Sequence, residues 1–229
     1  MFHRLLSIFF PSPCLTCGYL EEPLCSRCHN SLKFMPHIRR TKNLKICSPL
    51  LYKKGEVIEQ LIEPFKYKHQ AKIFRYFVPK MVEALRLLHF DPKAILVPVP
   101  LHPKRQKERG YNQAELLAKG VSKKLGLEMK HLLKRVKNTS SQARLKTRLE
   151  RSSNLDNAFE IKERPPQDRQ LILVDDIVTT GSTLLACYEK LSEAGAKSII
   201  ALTLANREKE TPHPWNRRLK KHEKSTHWS

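Results

Sequence analysis

The chain has 229 residues, of which 40% are apolar, and it carries a formal net charge of +21. This length allows one full-sized domain with a small appendage, and the charge exceeds what solubility requires, so it favours an anionic partner. The apolar run at residues 5–10 is far shorter than the roughly 20 residues that cross a bilayer, and no small-residue cleavage site follows it. We therefore expect a cytoplasmic protein, in which this run packs on the neighbouring module or on a membrane surface.

Four of the six cysteines form two C-x-x-C pairs near the N-terminus. The four residues are Cys14, Cys17, Cys25 and Cys28. Each pair presents two thiolates from one tight turn, and two such turns complete a tetrahedral Zn²⁺ site. The spacing predicts a structural zinc knuckle or ribbon over residues 1–35, although reduced thiols or one redox pair would share this pattern. Cys47 and Cys187 are expected to be core thiols.

The next part of the chain is predicted to contain a linker, a strand and two helices. Residues 36–45 are polar and basic, which indicates a linker, and residues 46–52 suggest a short strand. Apolar positions at helical spacing predict a short helix over 57–65 and a longer one over 73–89. Pro79 is expected to kink the second helix or to start a new one.

A second predicted strand, at residues 94–99, begins the part of the chain that is richest in positive charge. A loop over 100–113, a helix over 113–125 and a basic loop over 137–158 follow, whereas 127–136 is ambiguous between strand and helix. Residues 102–151 hold 15 lysines and arginines against 4 glutamates. Such an excess is usually solvated surface, but it also suits a longer polyanion.

The most informative segment, Leu171–Thr183, reads L-I-L-V-D-D-I-V-T-T-G-S-T. Its four consecutive aliphatic residues predict a strand at 171–174 that is buried on both faces of a parallel sheet. Because this strand ends at Asp175 and Asp176, both carboxylates are placed at the sheet edge where open α/β folds bind ligands.

The hydroxyl-rich turn after these acids opens into a predicted helix over 183–194, and a strand over 198–204 completes a right-handed βαβ unit. A helix N-terminus with a glycine beside it suits a phosphate group. The alternative interpretation is an ordinary strand-to-helix turn in which Asp176 or Ser182 caps the helix.

The segment resembles the signature of type I phosphoribosyltransferases, which bind 5-phosphoribosyl-1-pyrophosphate (PRPP). The resemblance implies that Asp175 and Asp176 engage the ribose hydroxyls, that Mg²⁺ accompanies the ligand, and that the loop wraps the 5′-phosphate. The loop residues are Thr179, Thr180, Gly181, Ser182 and Thr183.

Several further motifs together are similar to the ComF family of competence-associated proteins. They are K-Y-K-H at 66–69, V-P-V-P-L-H at 97–102, E-R-G-Y-N-Q-A at 108–114 and Q-x8-R-x2-N-L at 142–155. His69 stands where many relatives have glycine. The resemblance implies a type I phosphoribosyltransferase fold, a parallel twisted sheet flanked by helices, over 46–206. It also implies pyrophosphate contacts from Pro100, Leu101, His102, Arg109 and Arg151. The alternatives are an exposed loop position for His102, loop packing for Arg109, and DNA phosphates or solvent for Arg151.

The family resemblance implies a role in moving incoming single-stranded DNA into the cytoplasm. PRPP and single-stranded DNA are the expected partners, and a DNA-translocating helicase and the inner membrane surface are further candidates. A metabolic phosphoribosyltransferase for a nucleobase or amine, and a non-catalytic DNA-binding adaptor, stay open as alternatives. We expect Lys134, Arg135 and Lys137 to contribute to DNA binding, and the basic tail over 207–229 to be disordered.

Overall fold

The computed structural model describes residues 13–20, 23–53, 55–66, 68–138 and 157–208. The apolar run at 5–10, Arg151 and the tail beyond residue 208 lie outside these residues. No helix within the described ranges is both long enough and apolar enough to span a membrane.

Within residues 13–20 and 23–53, the described N-terminal part contains one short helix and three strands. They are α1 (Ser26–Ser31), β1 (His37–Thr41), β2 (Leu44–Ser48) and β3 (Leu50–Tyr52). Strands β1 and β2 pair as an antiparallel hairpin. The prediction of a linker over 36–45 is therefore wrong, because this basic segment is a strand with its turn.

The middle of the chain is mostly helical. It contains α2 (Val57–Phe65), a 3-10 helix (Lys68–Ile73), α3 (Phe74–Arg86), β4 (Ile95–Pro98), α4 (Pro103–Arg109), α5 (Gln113–Leu125), β5 (Glu128–Met129) and β6 (Leu133–Arg135). The predicted helices at 57–65 and 113–125 are confirmed, and α3 continues through Pro79 rather than starting anew there. The predicted loop at 100–113 is wrong in part, because α4 lies within it.

The C-terminal part contains β7 (Phe159–Ile161), β8 (Leu171–Val178), α6 (Ser182–Glu193) and β9 (Ile199–Arg207). The predicted β8–α6–β9 order is confirmed, with β8 and β9 parallel. Strand β8 does not stop at Val174, however. It continues through both acids to Val178, with Asp175 paired to Thr203.

One sheet organises the molecule, in the strand order β1-β2-β9-β8-β4-β5, with β3 also pairing with β9. Every pair is parallel except the β1–β2 hairpin, and β6 and β7 form a separate antiparallel pair. This arrangement agrees with the expected parallel sheet flanked by helices.

Buried side chains form one core on each face of the sheet. Along β8, Ile172 and Val174 belong to the core that contains α2, α3 and α5, whereas Leu171 and Leu173 belong to the core that contains α6. Side chains of successive strand residues point to opposite faces, which explains the uninterrupted aliphatic run. The buried cysteines of the N-terminal module belong to the first core, so the module packs directly on the helices of the main sheet.

Candidate functional site

A cavity of about 250 Å³ lies where β4 and β8 end, beside the N-termini of α5 and α6. Its walls include seven of the residues that the sequence predicted as site residues. These are Pro100, Leu101, Arg109, Asp175, Asp176, Thr179 and Thr183. Segments that are far apart in the chain therefore meet at the carboxyl edge of the sheet, as expected for an open α/β fold.

The two carboxylates of the cavity, Asp175 and Asp176, face different surroundings. They are successive residues of β8, so their side chains leave opposite faces of the strand. Burial and the neighbouring Asp176 charge raise the pKa of Asp175 well above its ordinary value, although Arg135 partly opposes this. Asp176 lies on the side of Tyr52 and Tyr111. Burial raises the pKa of both tyrosines, and the charge of Asp176 adds to this increase.

The loop after the acids has the geometry of a strand-to-helix turn without a side-chain cap. Gly181 occupies the N-cap position of α6 with φ 84°, a left-handed conformation that favours glycine. The Thr180 hydroxyl lies 2.9 Å from the Ser182 hydroxyl and accepts the Ser182 N–H at 3.3 Å. Neither Asp176 nor Ser182 caps α6, so the described contacts do not support the capping interpretation.

Four basic residues from three separate elements line the same cavity as these acids. They are Lys66 just after α2, Arg105 and Arg109 on α4, and Arg135 at the end of β6. Burial lowers the pKa of Arg105, and the charges of Arg109 and Arg135 lower it further, because the three guanidinium groups face the same space. Such clustered cations at a cavity favour a ligand with several negative charges.

The guanidinium of Arg135 lies in the wall of the cavity and is partly buried. It lies 5.3 Å from the centre of the Phe159 ring, a cation–π contact between the paired strands β6 and β7. Burial lowers its pKa, while the nearby Asp175 charge raises it. Arg135 therefore lines the cavity, whereas Lys134 and Lys137 do not, and the contribution of all three to DNA binding stays a prediction.

The E-R-G-Y-N-Q motif at 108–113 holds the basic wall in place. Arg109 Nη1 donates to Gln113 Oε1 at 3.0 Å, and Gln113 Nε2 donates to the Lys66 carbonyl at 3.1 Å. Asn112 caps α5 through the Ala114 N–H and donates to the Val99 carbonyl at 3.0 Å. The motif thus links the end of α2, the end of β4 and the N-terminus of α5.

His102 has a structural contact that the sequence did not suggest. Its Nδ1 accepts the Lys104 N–H at 3.2 Å, so the side chain caps α4. It is not among the residues that line the cavity. A contact between His102 and pyrophosphate stays a prediction, and Arg151 lies outside the described residues.

The four cysteines of the N-terminal module converge, with all four Sγ atoms within 4.8 Å of one another. A tetrahedron with Zn–S bonds of about 2.3 Å separates its sulfur atoms by about 3.8 Å, and Cys17 Sγ and Cys25 Sγ are 3.6 Å apart. The cluster can therefore hold a metal ion of this type.

The pKa values of two thiols in this cluster, Cys14 and Cys28, are shifted in opposite directions. Burial raises the pKa of Cys14, but N–H groups such as that of Cys25 outweigh it and lower the pKa to about 6. Burial and hydrogen bonds with the other three cysteines raise the pKa of Cys28 to about 12. If all four thiols are deprotonated, their charges repel one another at this spacing, and a bound cation would neutralise them.

The chain is similar to one known family and to several known proteins. The phosphoribosyl transferase domain family matches residues 112–229. Competence protein F of Haemophilus influenzae is 34% identical over 227 residues, covering 86% of this chain and 98% of that protein. Competence protein ComFC of Bacillus subtilis is 30% identical and covers 67% of this chain and 62% of that protein. DNA utilization protein YhgH of Salmonella typhimurium is 30% identical and covers 82% of this chain and 81% of that protein.

A solved adenine phosphoribosyltransferase aligns with a TM-score of 0.38 and 14% identity, covering 85% of this chain and 94% of that chain. The family assignment therefore rests on the sequence matches rather than on this structural alignment.

Proposed function

Since this chain belongs to the ComF family, we propose that its cavity binds PRPP together with Mg²⁺ and that the protein acts in the uptake and use of single-stranded DNA. One observation carries the proposal. The adjacent acids of β8 and the loop before α6 open into the same cavity as three arginines, so groups suited to ribose hydroxyls, a phosphate and a diphosphate lie together.

We assign the ligand groups to the cavity walls by their chemistry. Asp175 and Asp176 orient the ribose through its hydroxyls, and the backbone N–H groups at the start of α6 bind the 5′-phosphate. Arg105, Arg109 and Arg135 bind the diphosphate. Bound Mg²⁺ would add a counter-charge for the diphosphate, and carboxylate oxygens are ligands that it prefers.

This arrangement suits phosphoribosyl transfer, which asks the protein for positioning more than for covalent chemistry. Departure of the diphosphate from the ribose leaves positive charge on the sugar, and the three arginines stabilise the leaving group. The two aspartates hold the sugar and are not placed as nucleophiles. The relatives named for competence or DNA utilization favour a DNA-linked role over a purely metabolic one.

The four-cysteine cluster is proposed to bind one structural Zn²⁺, because all four positions of a tetrahedral site are supplied by the chain. A reduced thiol cluster of this kind is typical of a cytoplasmic protein. The expected cytoplasmic location and the expected contact with single-stranded DNA both belong to this proposal.

Calorimetry of PRPP binding, with and without Mg²⁺, tests the proposal. The parent protein should bind, and the double variant Asp175→Asn/Asp176→Asn should bind at least about 10-fold more weakly, because it loses charged hydrogen bonds. Asp168→Asn, an exposed carboxylate outside the cavity, is the matched control and should bind like the parent. Failure of the folded parent protein to bind millimolar PRPP would contradict the proposal.

The same variants should be compared in a transformation assay in a strain that lacks the gene. The proposed link between the cavity and DNA uptake requires that Asp175→Asn/Asp176→Asn lower the transformation frequency while Asp168→Asn does not. Equal frequencies for both would separate the DNA role from the cavity.

A further inference from the structure

The side chain of Arg39, in the middle of β1, reaches the loop between β8 and α6. Its Nη1 donates to the Thr179 carbonyl at 3.0 Å, and its Nη2 donates to the Thr180 carbonyl at 2.9 Å. One planar guanidinium thus binds two successive carbonyl groups, with a geometry that a lysine cannot reproduce. The two segments are 140 residues apart in the chain.

These two bonds determine the direction of two backbone N–H groups in the loop. In a planar trans peptide, the carbonyl of one residue and the N–H of the next point in opposite directions. Because the Thr179 and Thr180 carbonyls point to Arg39, the N–H groups of Thr180 and Gly181 point away from it. Successive N–H groups that point to one side form an anion-binding concavity.

The β1–β2 hairpin that carries Arg39 is attached to the same region by two further contacts. Lys42, in the hairpin turn, pairs with Glu189 of α6 at 2.7 Å. Ile46, which pairs with Arg39 across the hairpin, lies under the loop, with its Cδ1 3.8 Å from the position that a Cβ on Gly181 would take. The hairpin therefore holds Arg39 in place against the loop and the helix that follows it.

We propose that Arg39 is a positioning residue for the phosphate end of the cavity. It turns the peptide units after Thr179 and Thr180 so that their N–H groups face a bound phosphate, while its own guanidinium stays on the outer side of the loop. This inference rests on the proposed PRPP site and adds to it the β1–β2 hairpin, which lies outside the segment that contains the acids and the loop.

The test compares Arg39→Ala and Arg39→Lys with Arg40→Ala in calorimetric titrations with ribose 5-phosphate and, separately, with pyrophosphate. Arg40 is the next residue of β1 and its side chain leaves the other face of the strand, so it matches the change in charge. Both Arg39 variants should bind ribose 5-phosphate about 10-fold more weakly or worse, since two charged hydrogen bonds to the loop are lost. Pyrophosphate binding should be unchanged in every variant.

Arg39→Lys separates orientation of the loop from simple charge, because lysine keeps the charge without the fork of donors. If Arg39→Lys binds ribose 5-phosphate within 3-fold of the parent (roughly 0.6 kcal/mol), the inference is overturned. Equal weakening by Arg40→Ala would overturn it as well, since charge alone would then account for the effect. Failure of the parent to bind PRPP would instead contradict the proposed function.

A second measurement separates the orientation of the loop from a change in the stability of the variants. In amide NMR spectra, the Thr180 and Gly181 signals of the parent should shift on addition of ribose 5-phosphate, and they should shift much less in Arg39→Lys. Thermal unfolding of the same samples should show that the variant is folded under these conditions. Equal shifts in the parent and in Arg39→Lys would contradict the positioning role.

Discussion

The four-cysteine cluster and the cavity both bring like charges together, but they do so by different means. In the cluster, four thiols from one short segment lie within 4.8 Å of one another and interact mainly with one another and with backbone N–H groups. In the cavity, the chain itself supplies charges of both signs, with two carboxylates facing three guanidinium groups. The cluster is therefore suited to a bound cation, whereas the cavity offers charges of both signs to a ligand.

The largest expected effect concerns the cluster. Cys25→Ser removes one sulfur from a cluster whose three buried members share a core with α2 and α3. We expect it to abolish metal binding and to lower the free energy of unfolding of the whole domain by several kcal/mol, roughly 3. Metal analysis and thermal unfolding measure the two effects, and the parent should contain about one Zn²⁺ per chain.

Cys47→Ala is the control for this prediction, because Cys47 is a buried thiol of the same core outside the cluster. Cys47→Ala should keep the metal, and its free energy of unfolding should fall by only about 1 kcal/mol. If Cys25→Ser keeps the metal content of the parent, the cluster binds metal without the Cys25 sulfur, and the prediction is contradicted.

The next effect tests how the cavity is held together. Gln113→Ala removes two hydrogen bonds made by a buried side chain, to Arg109 and to the Lys66 carbonyl. We expect a loss of about 2 kcal/mol in unfolding free energy and weaker PRPP binding, because Arg109 loses its support. Gln106→Ala, at an exposed position of α4, should change neither, and equal binding by Gln113→Ala would show that Arg109 needs no such support.

A smaller effect is expected from Asp175, the cavity carboxylate whose pKa is raised. Because the pKa of Asp175 is raised in the folded protein, its ionisation opposes folding. This group therefore costs the folded protein no stability below the ordinary carboxyl pKa. The folded protein loses stability as the pH rises from there through the raised pKa of Asp175. Asp175→Asn should therefore raise Tm by a few degrees at neutral pH and by less near pH 4.

Thermal unfolding across this pH range measures the effect. Asp168→Asn is the exposed control, and its Tm should show no pH-dependent gain over the parent. Asp175→Asn should also weaken PRPP binding, so the stability gain and the binding loss occur in the same variant. A lower Tm for Asp175→Asn at neutral pH would contradict the assigned repulsion between Asp175 and Asp176.

The smallest effect concerns DNA. Lys134 and Lys137 are exposed at the end of β6, and reversing both charges should reduce the salt dependence of single-stranded DNA binding, since the slope scales with the number of phosphate contacts. PRPP binding should be retained, because neither residue lines the cavity. Lys123→Glu/Lys124→Glu, in the last turn of α5, makes the same change in net charge elsewhere. Identical salt slopes for the two double variants would leave no specific role for Lys134 and Lys137.

The sequence was sufficient for the parts of the site that are contiguous. The acids and the loop occupy one stretch between a buried strand and a helix, so their proximity follows from local structure alone. The basic wall comes from three elements, and its assembly depends on which strands pair. Nothing in the sequence around Lys66 or around Arg135 predicts that the two residues line the same cavity.

Two elements were missed for identifiable physical reasons. Helix α4 has no buried residue, so it lacks the apolar periodicity on which the prediction relied. Its end signals were present, with His102 as N-cap, Pro103 in the first turn and Gly110 at the C-terminal end. Strand β1 lies in a polar and basic segment, and this composition predicts a linker. Its one large apolar side chain, Ile38, is 47% exposed, so the strand lacks the buried apolar alternation that would mark it.

The order of strands also has a consequence for how the protein is made. Strand β9 lies between β2 and β8, yet it is the last strand of the described chain to leave the ribosome. Until it is synthesised, the N-terminal hairpin has no partner on its inner edge and cannot be carried to the loop after β8. The phosphate end of the proposed PRPP site is therefore completed only after β9 has been synthesised, although most of the residues that form it precede β9 in the chain.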